Sequence, residues 1–76
     1  MPELMTLEEL ISATNSAVAD MTVADGRVAA ELTERNVRYY VTLGLVRPPV
    51  RDGGRSLWTH DHVNDLIRIQ IGRAHV

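Results

Sequence analysis

The sequence contains no cysteine, only three aromatic residues and no apolar run long enough to cross a membrane. Without cysteine there are no disulfides, thiolate metal sites or cysteine nucleophiles, so a small secreted disulfide-bonded scaffold is excluded. Residues 1–9 lack the basic start and apolar run of a signal peptide. The chain of 76 residues can form one small core and is too short for a multidomain enzyme. We therefore expect a single domain of marginal stability that is soluble and cytoplasmic.

Charge is unevenly distributed along the chain, although the formal net charge is only −2. Residues 1–32 hold one base and six acids, residues 33–58 hold five bases and two acids, and residues 59–76 hold two of each. All eight bases are arginine, whose planar guanidinium can bind a phosphate through two hydrogen bonds. The basic centre therefore indicates a polyanion-binding surface, although high genomic GC content also favours arginine over lysine.

A first helix is predicted from Thr6 to about Met21. Thr6 and Glu9 have the spacing of a capping box, in which each side chain accepts the backbone N–H of the other residue. Thr14 interrupts the apolar face, where its methyl group can pack while its hydroxyl donates to a carbonyl one turn earlier. The apolar members of that face are Leu7, Leu10, Ile11, Val18 and Met21.

A turn and a second, shorter helix follow. Asp25-Gly26 predicts a turn with Gly26 at positive φ, and residues 28–32 fit either a short strand or a single helical turn. Thr33 is the expected N-cap of a helix over about 33–43, and Gly44 is its expected C-terminal stop. The buried face is predicted to consist of Val37, Tyr40, Val41 and Leu43.

Two arginines lie on the exposed side of this second helix. Arg35 and Arg38 are three residues apart, so they share one side, roughly opposite the buried face. Tyr40 lies on the apolar face and is expected in the core, whereas Tyr39 is turned away from it.

A small hairpin and a third helix complete the pattern. Pro48-Pro49 blocks any continuation of the second helix, and Gly53-Gly54 predicts the tight turn of a hairpin over about 47–58. Thr59 is expected to cap a third helix, whose inward residues are predicted to be Val63, Leu66, Ile67 and Gln70. The fold class is therefore mainly α, a winged helix-turn-helix of three helices with a small two-stranded β-hairpin as the wing. In such a fold a short helix can enter the major groove of DNA while the hairpin lies along the backbone.

Residues 35–46, Arg-Asn-Val-Arg-Tyr-Tyr-Val-Thr-Leu-Gly-Leu-Val, resemble the recognition helix of the MerR family of transcription regulators. The resemblance continues through Pro48-Pro49, the Gly-Gly turn and residues 55–59, and covers roughly residues 33–69. Residues 16–31 depart from the usual family pattern and are similar to a divergent MerR-like branch. The resemblance implies sequence-specific binding of double-stranded DNA by a cytoplasmic, bacterial-type regulator, and the sequence predicts no cofactor. It also implies that the full-length protein is a homodimer.

The resemblance also implies which residues contact DNA. Arg38 and Tyr39 would contact the phosphate backbone, and Arg35 would lie near base edges or phosphate at the start of the recognition helix. The implied set is Arg35, Asn36, Arg38, Tyr39, Arg51 and Arg55, the last two on the wing. DNA binding predicts that the four arginines face one side and the acids the other. Trp58 is expected under the wing as a core residue.

Two other function classes are open to a chain of this kind. An enzyme would draw on the titratable cluster of His60, Asp61, His62 and Asp65, but zinc-type histidine spacing, a Ser-His-Asp set and a P-loop are absent from the sequence. The pattern therefore predicts no catalytic residue and no metal site, with His62 and Asp65 as a surface pair. A winged helix that binds protein instead of DNA is the stronger alternative, since an acidic first helix would suit a basic partner.

The last six residues, Ile-Gly-Arg-Ala-His-Val, match the translation of a short-read sequencing adapter, ATC-GGA-AGA-GCA-CAC-GTC. Gln70 encoded as CAG would supply the AG that precedes this frame. We therefore expect the native DNA-binding domain to occupy residues 1–69, cut within its third helix, and residues 70–76 to be foreign. The coding DNA checks this expectation, because any other codons over residues 70–76 would contradict it.

Overall fold

The computed structural model describes residues 4–22 and 31–74. These residues form a mainly helical winged helix-turn-helix, so the predicted fold class is confirmed. The predicted turn at Asp25-Gly26 lies outside the described residues, as do residues 28–30, while Glu31 and Leu32 belong to no helix or strand. The elements in chain order are α1 (Leu7–Thr22), α2 (Glu34–Thr42), β1 (Val50–Asp52), β2 (Arg55–Leu57) and α3 (His60–Ala74).

The first helix begins at the predicted capping box. The Thr6 N–H donates to Glu9 Oε1 at 3.0 Å, and the Glu9 N–H donates to Thr6 Oγ1 at 3.2 Å. Thr14 is fully buried, and its hydroxyl donates to the Leu10 carbonyl at 2.8 Å. The polar position on the apolar face is thus satisfied within the helix itself, as predicted.

The second helix is only nine residues long, and both of its ends are closed by local hydrogen bonds. Thr33 caps its start by accepting the Asn36 N–H at 3.2 Å. At its end Gly44 has φ +78°, and its N–H and that of Leu45 donate to the carbonyls of Val41 and Tyr40, each at 3.0 Å. This is a Schellman motif, which requires the positive φ that glycine adopts readily. Such caps matter because a helix this short is not stable alone in water.

Leu43 was predicted on the buried face of α2, and that prediction is wrong. Leu43 is the C-cap residue and is 51% exposed, because α2 ends at Thr42. Two positions beyond Val41, it lies about 200° further round the helix and so faces the same side as Tyr39. Val37 and Tyr40 are buried, and Val41 packs on the core as predicted.

The hairpin has the predicted turn, and the residue after β2 also pairs with Met5, which precedes α1. β1 and β2 are antiparallel, and Gly53 and Gly54 have φ of +57° and +84°, as a type I′ turn requires. Beyond β2, the Trp58 N–H donates to the Met5 carbonyl at 2.9 Å, and the Met5 N–H donates to the Trp58 carbonyl at 2.8 Å. The segment before α1 therefore extends the hairpin by one bridge, which the sequence did not predict.

The core lies where the three helices meet beneath the hairpin. α1 packs against α3 and, over a smaller area, against α2. Trp58 is 4% exposed and fills the space under the wing as predicted. The main cluster contains Met5, Leu10, Leu32, Val37, Tyr40, Val46, Trp58, Val63 and Leu66.

Asn15 on α1 holds the chain that leads into α2. Its Oδ1 accepts the Leu32 N–H at 2.8 Å and its Nδ2 donates to the Leu32 carbonyl at 3.4 Å. Leu32 is 2% exposed and immediately precedes the N-cap of α2. The amide thus pairs both backbone groups of a buried residue and fixes the point from which α2 starts.

We expect Asn15→Ala to lower the free energy of unfolding by about 1–3 kcal/mol, because the Leu32 N–H and carbonyl lose their partner in a partly buried position. Urea unfolding followed through the fluorescence of Trp58, the single tryptophan, measures this change. Ser12→Ala, at an exposed position of the same helix, is the control and should change stability by less than about 0.5 kcal/mol. Equal effects of the two substitutions would contradict the role assigned to Asn15.

Candidate nucleic-acid interface

The outer side of α2 presents three of the residues expected to contact DNA. Arg35, Arg38 and Tyr39 are all exposed, Tyr39 by 57% and the Arg38 side chain by 73%. Tyr40, one position further on, is only 7% exposed, so the two tyrosines divide between surface and core as predicted. The helix therefore offers a cationic, partly aromatic surface to a partner.

Arg38 forms an ion pair one helical turn back with Glu34, the first residue of α2. The Glu34 side chain is 56% exposed, so the pair lies in water on the surface of the helix. Its i,i+4 spacing is visible in the sequence, although the prediction for this side of the helix named only the arginines. The arginine expected to bind phosphate thus already has an anionic neighbour.

Asn36 has a structural function at the start of α2. Its Oδ1 accepts the Thr33 N–H at 3.2 Å, which completes a capping box with Thr33. The side chain placed in the DNA-contacting set is therefore held back against the N-cap.

The hairpin register separates the two wing arginines. Arg51 lies opposite Ser56, and Asp52 lies opposite Arg55. Because successive side chains of a strand point to opposite faces, Arg51 and Arg55 lie on opposite faces of the hairpin. The expectation that all four arginines face one side therefore does not hold for this pair.

A groove of about 310 Å³ lies between α2 and the hairpin. Arg38, Thr42 and Ser56 supply its polar lining. Ser56 also accepts a hydrogen bond of 3.2 Å from Arg51 Nη1. Arg38 of α2 and Ser56 of the wing therefore line one groove, and Arg51 is joined to it through its hydrogen bond to Ser56. The apolar lining consists of Leu7, Val41, Pro49 and Trp58.

Comparison with known proteins agrees with this architecture. A family model described as MerR HTH family regulatory protein matches residues 21–73, from the end of α1 through α2, the hairpin and nearly all of α3. The chain belongs to the MerR HTH family. No curated protein and no solved structure matched it. The match includes residues 21–32, which precede the stretch on which the sequence resemblance was based.

The base of the wing in this MerR-family chain is bound to α3 by an ion pair. Arg47 donates from Nε to Asp65 Oδ2 at 2.9 Å, from Nη2 to Oδ1 at 3.2 Å and from its backbone N–H to Oδ2 at 3.4 Å. Asp61 adds a longer contact of 3.4 Å to Nη1. Arg47 was counted in the basic centre, but its charge is paired with two carboxylates of α3.

The same contacts shift the pKa of Asp65. The side-chain hydrogen bonds from Arg47 lower the pKa of Asp65 below its usual range, against the opposing effect of partial burial. The carboxylate is 11% exposed, whereas the Arg47 side chain is about half exposed. The charged form of Asp65 is therefore favoured by folding.

His62, also on α3, binds Pro48, the residue that follows Arg47. Its Nδ1 accepts the Thr59 N–H at 2.9 Å, so the hydrogen-bond network assigns the ring proton to Nε2, which donates to the Pro48 carbonyl at 2.9 Å. The ring meets Trp58 edge to face, with 5.1 Å between centroids. His62 is 2% exposed, so the predicted surface pair of His62 and Asp65 is wrong. The physical reason is that the first turn of α3 packs beneath the wing, where both nitrogens find partners.

Two further properties concern the described residues as a set. Within residues 4–22 and 31–74, no group of three histidine, aspartate or glutamate side chains comes close enough to hold a metal ion. In the same ranges the helices are too short or too polar to cross a bilayer.

The Asp65 contact predicts a pH-dependent loss of stability. Because folding lowers the pKa of Asp65, its contribution is present above the unfolded-state pKa of about 3.9 and is lost as the pH falls through the lower folded-state value. The stability difference between the wild-type chain and Asp65→Asn should therefore be largest near neutral pH and shrink below about pH 4.

Urea unfolding monitored by Trp58 fluorescence over a pH series measures this difference. Asp61→Asn removes the same charge from a side chain that is 68% exposed and makes the longer contact, so it serves as the control and should have little effect. A stability difference for Asp65→Asn that does not change with pH would show that the carboxylate is not selectively stabilised by folding.

Proposed function

We propose that this chain binds double-stranded DNA in a sequence-specific manner as the DNA-binding domain of a transcription regulator, with α2 in the major groove and the hairpin on the phosphate backbone. Membership in the MerR HTH family supports the regulatory role. The width of the B-DNA major groove matches a helix such as α2, whose outer side carries Arg35, Arg38 and Tyr39.

The observation that carries the proposal is the groove shared by α2 and the hairpin. Arg38 and Ser56 line it, and Arg51 is hydrogen-bonded to Ser56. Two guanidinium groups and a hydroxyl from separate elements suit one phosphate group, which accepts charge-assisted hydrogen bonds from several directions. Contacts of this kind would fix how deeply α2 enters the major groove. The Tyr39 hydroxyl is proposed to reach an adjacent phosphate.

Base recognition is assigned to the first turn of α2. Recognition helices contact base edges with their N-terminal residues, and Arg35 is the exposed cation there. An arginine can bind guanine O6 and N7 through two hydrogen bonds. Asn36 is proposed to act mainly by capping, with its amide nitrogen directed to DNA. Arg55, on the opposite face of the hairpin from Arg51, is proposed to contact the backbone on the far side of the wing.

Fluorescence anisotropy with labelled duplexes of unrelated sequence tests the phosphate contacts. Arg38→Ala and Arg55→Ala should each weaken binding to every duplex and reduce the salt dependence of log K by about 0.9, because one phosphate fewer is neutralised. Arg68→Ala removes the same charge from an exposed position of α3 and is the matched control. Unchanged affinity and slope for both variants would refute the phosphate assignment.

Arg35 is tested separately by selecting duplexes from a randomised pool. Arg35→Ala should relax the preference at one base pair, at a cost of about 1–3 kcal/mol for the selected sequence, and leave other duplexes nearly unaffected. A folded wild-type chain that binds no duplex even at low salt would contradict DNA binding and favour the protein-binding winged helix.

A further inference from the structure

We infer that Glu34 sets the DNA affinity of this chain by competing with phosphate for the Arg38 guanidinium. The inference rests on the proposed function, in which Arg38 is a phosphate contact. Arg38 Nη2 pairs with Glu34 Oε1, and Arg38 also lines the groove between α2 and the hairpin. Arg38 therefore has a resident carboxylate partner and also contributes to the groove in which a phosphate is proposed to bind.

Arg38 differs in this respect from the other three arginines proposed to contact DNA. Among the described residues, it is the one of the four that has a carboxylate within ion-pair distance. The hydrogen bond made by Arg51 is to a neutral hydroxyl, that of Ser56. The phosphate proposed to bind in this groove can therefore approach Arg51 and Ser56 without breaking an ion pair, whereas its contact with Arg38 has to displace Glu34.

The position of Glu34 strengthens the competition. It is the first residue of α2, where the helix dipole favours a negative charge, and it precedes Arg38 by four residues, the favourable order for such a pair. Both side chains are more than half exposed, so the pair is weak enough for DNA to break. Once Arg38 turns to a phosphate, the released carboxylate stays on the same helix side and is repelled by the polyanion.

This cost is the same for every duplex. The contacts assigned to Arg38 are to the backbone and carry no base information, so the competition lowers affinity for all sequences by one factor. Its consequence is that less of the protein is held on DNA of arbitrary sequence, where electrostatic contacts supply nearly all of the binding.

Glu34→Gln, which removes the charge and keeps the shape of the side chain, tests the inference. We expect it to tighten binding about two- to fivefold, equally on duplexes of two unrelated sequences, as the range for an exposed ion pair implies. Glu8→Gln is the matched control, since Glu8 is also an exposed acid in the first turn of a helix. It should change affinity less than about twofold, below the range expected for Glu34→Gln. Circular dichroism and Trp58 fluorescence confirm that each variant is folded.

Combining each substitution with Arg38→Gln isolates the pair. In the Arg38→Gln background, the increase in duplex affinity caused by Glu34→Gln should fall to the small change caused by Glu8→Gln. An equal gain in both backgrounds would mean a general charge effect and would overturn the inference, as would no gain at all. Weaker binding of one sequence only would make Glu34 a base contact and would also overturn it.

The two proposals fail in distinguishable ways. If Arg38→Gln weakens binding and Glu34→Gln does not tighten it, the competition is absent while the phosphate contact stands. If Arg38→Gln leaves affinity and salt dependence unchanged, the phosphate role of Arg38 fails, and the inference about Glu34 fails with it.

Discussion

The attachment of residues 47 and 48 to the first turns of α3 is the interaction on which the interface depends. A hairpin with three-residue strands is not stable alone, so its position has to be imposed by the rest of the molecule. Asp65 holds Arg47 through its side chain and backbone, and His62 holds the Pro48 carbonyl. Both side chains lie on one face of α3, three residues apart. The helix that packs on α1 therefore also sets where the wing begins.

The segment that joins α2 to the hairpin is fixed at its other end by α2. The Schellman motif at Gly44 directs the chain away from the helix, and Val46, which is 2% exposed, anchors it in the core. Only Arg47 to Pro49 then separate the buried Val46 from the first strand. With both ends fixed, little freedom is left in the distance between Arg38 on α2 and Ser56 on the wing. The groove between them is thus a consequence of packing, which suits its proposed contact with the fixed geometry of a duplex.

The features predicted correctly from sequence are those that depend on neighbouring residues. The capping box of α1, the Gly44 stop, the Gly53-Gly54 turn and the apolar faces except at Leu43 involve residues within a few positions, so their physical cause is visible in the sequence. His62 to Pro48, Arg47 to Asp65 and Asn15 to Leu32 join residues 14, 18 and 17 positions apart, and no local pattern encodes them. The opposite placement of Arg51 and Arg55 is different. The alternation of side chains along a strand already implied this placement in the sequence. In the same way, the i,i+4 spacing of Glu34 and Arg38 implied their ion pair.

The charge on the side proposed to face DNA follows from these pairings and not from the net value of −2. Arg47 belongs to the basic centre of the sequence, yet two carboxylates of α3 neutralise it, and it serves to position the wing. Arg38 is also paired, but with an exposed carboxylate on its own helix. The two carboxylates differ in burial: Asp65 is 11% exposed and holds Arg47 through three hydrogen bonds, while Glu34 is 56% exposed and makes a weaker surface pair. The arginine that positions the wing and the arginine proposed to bind phosphate thus differ in how strongly a carboxylate holds each of them.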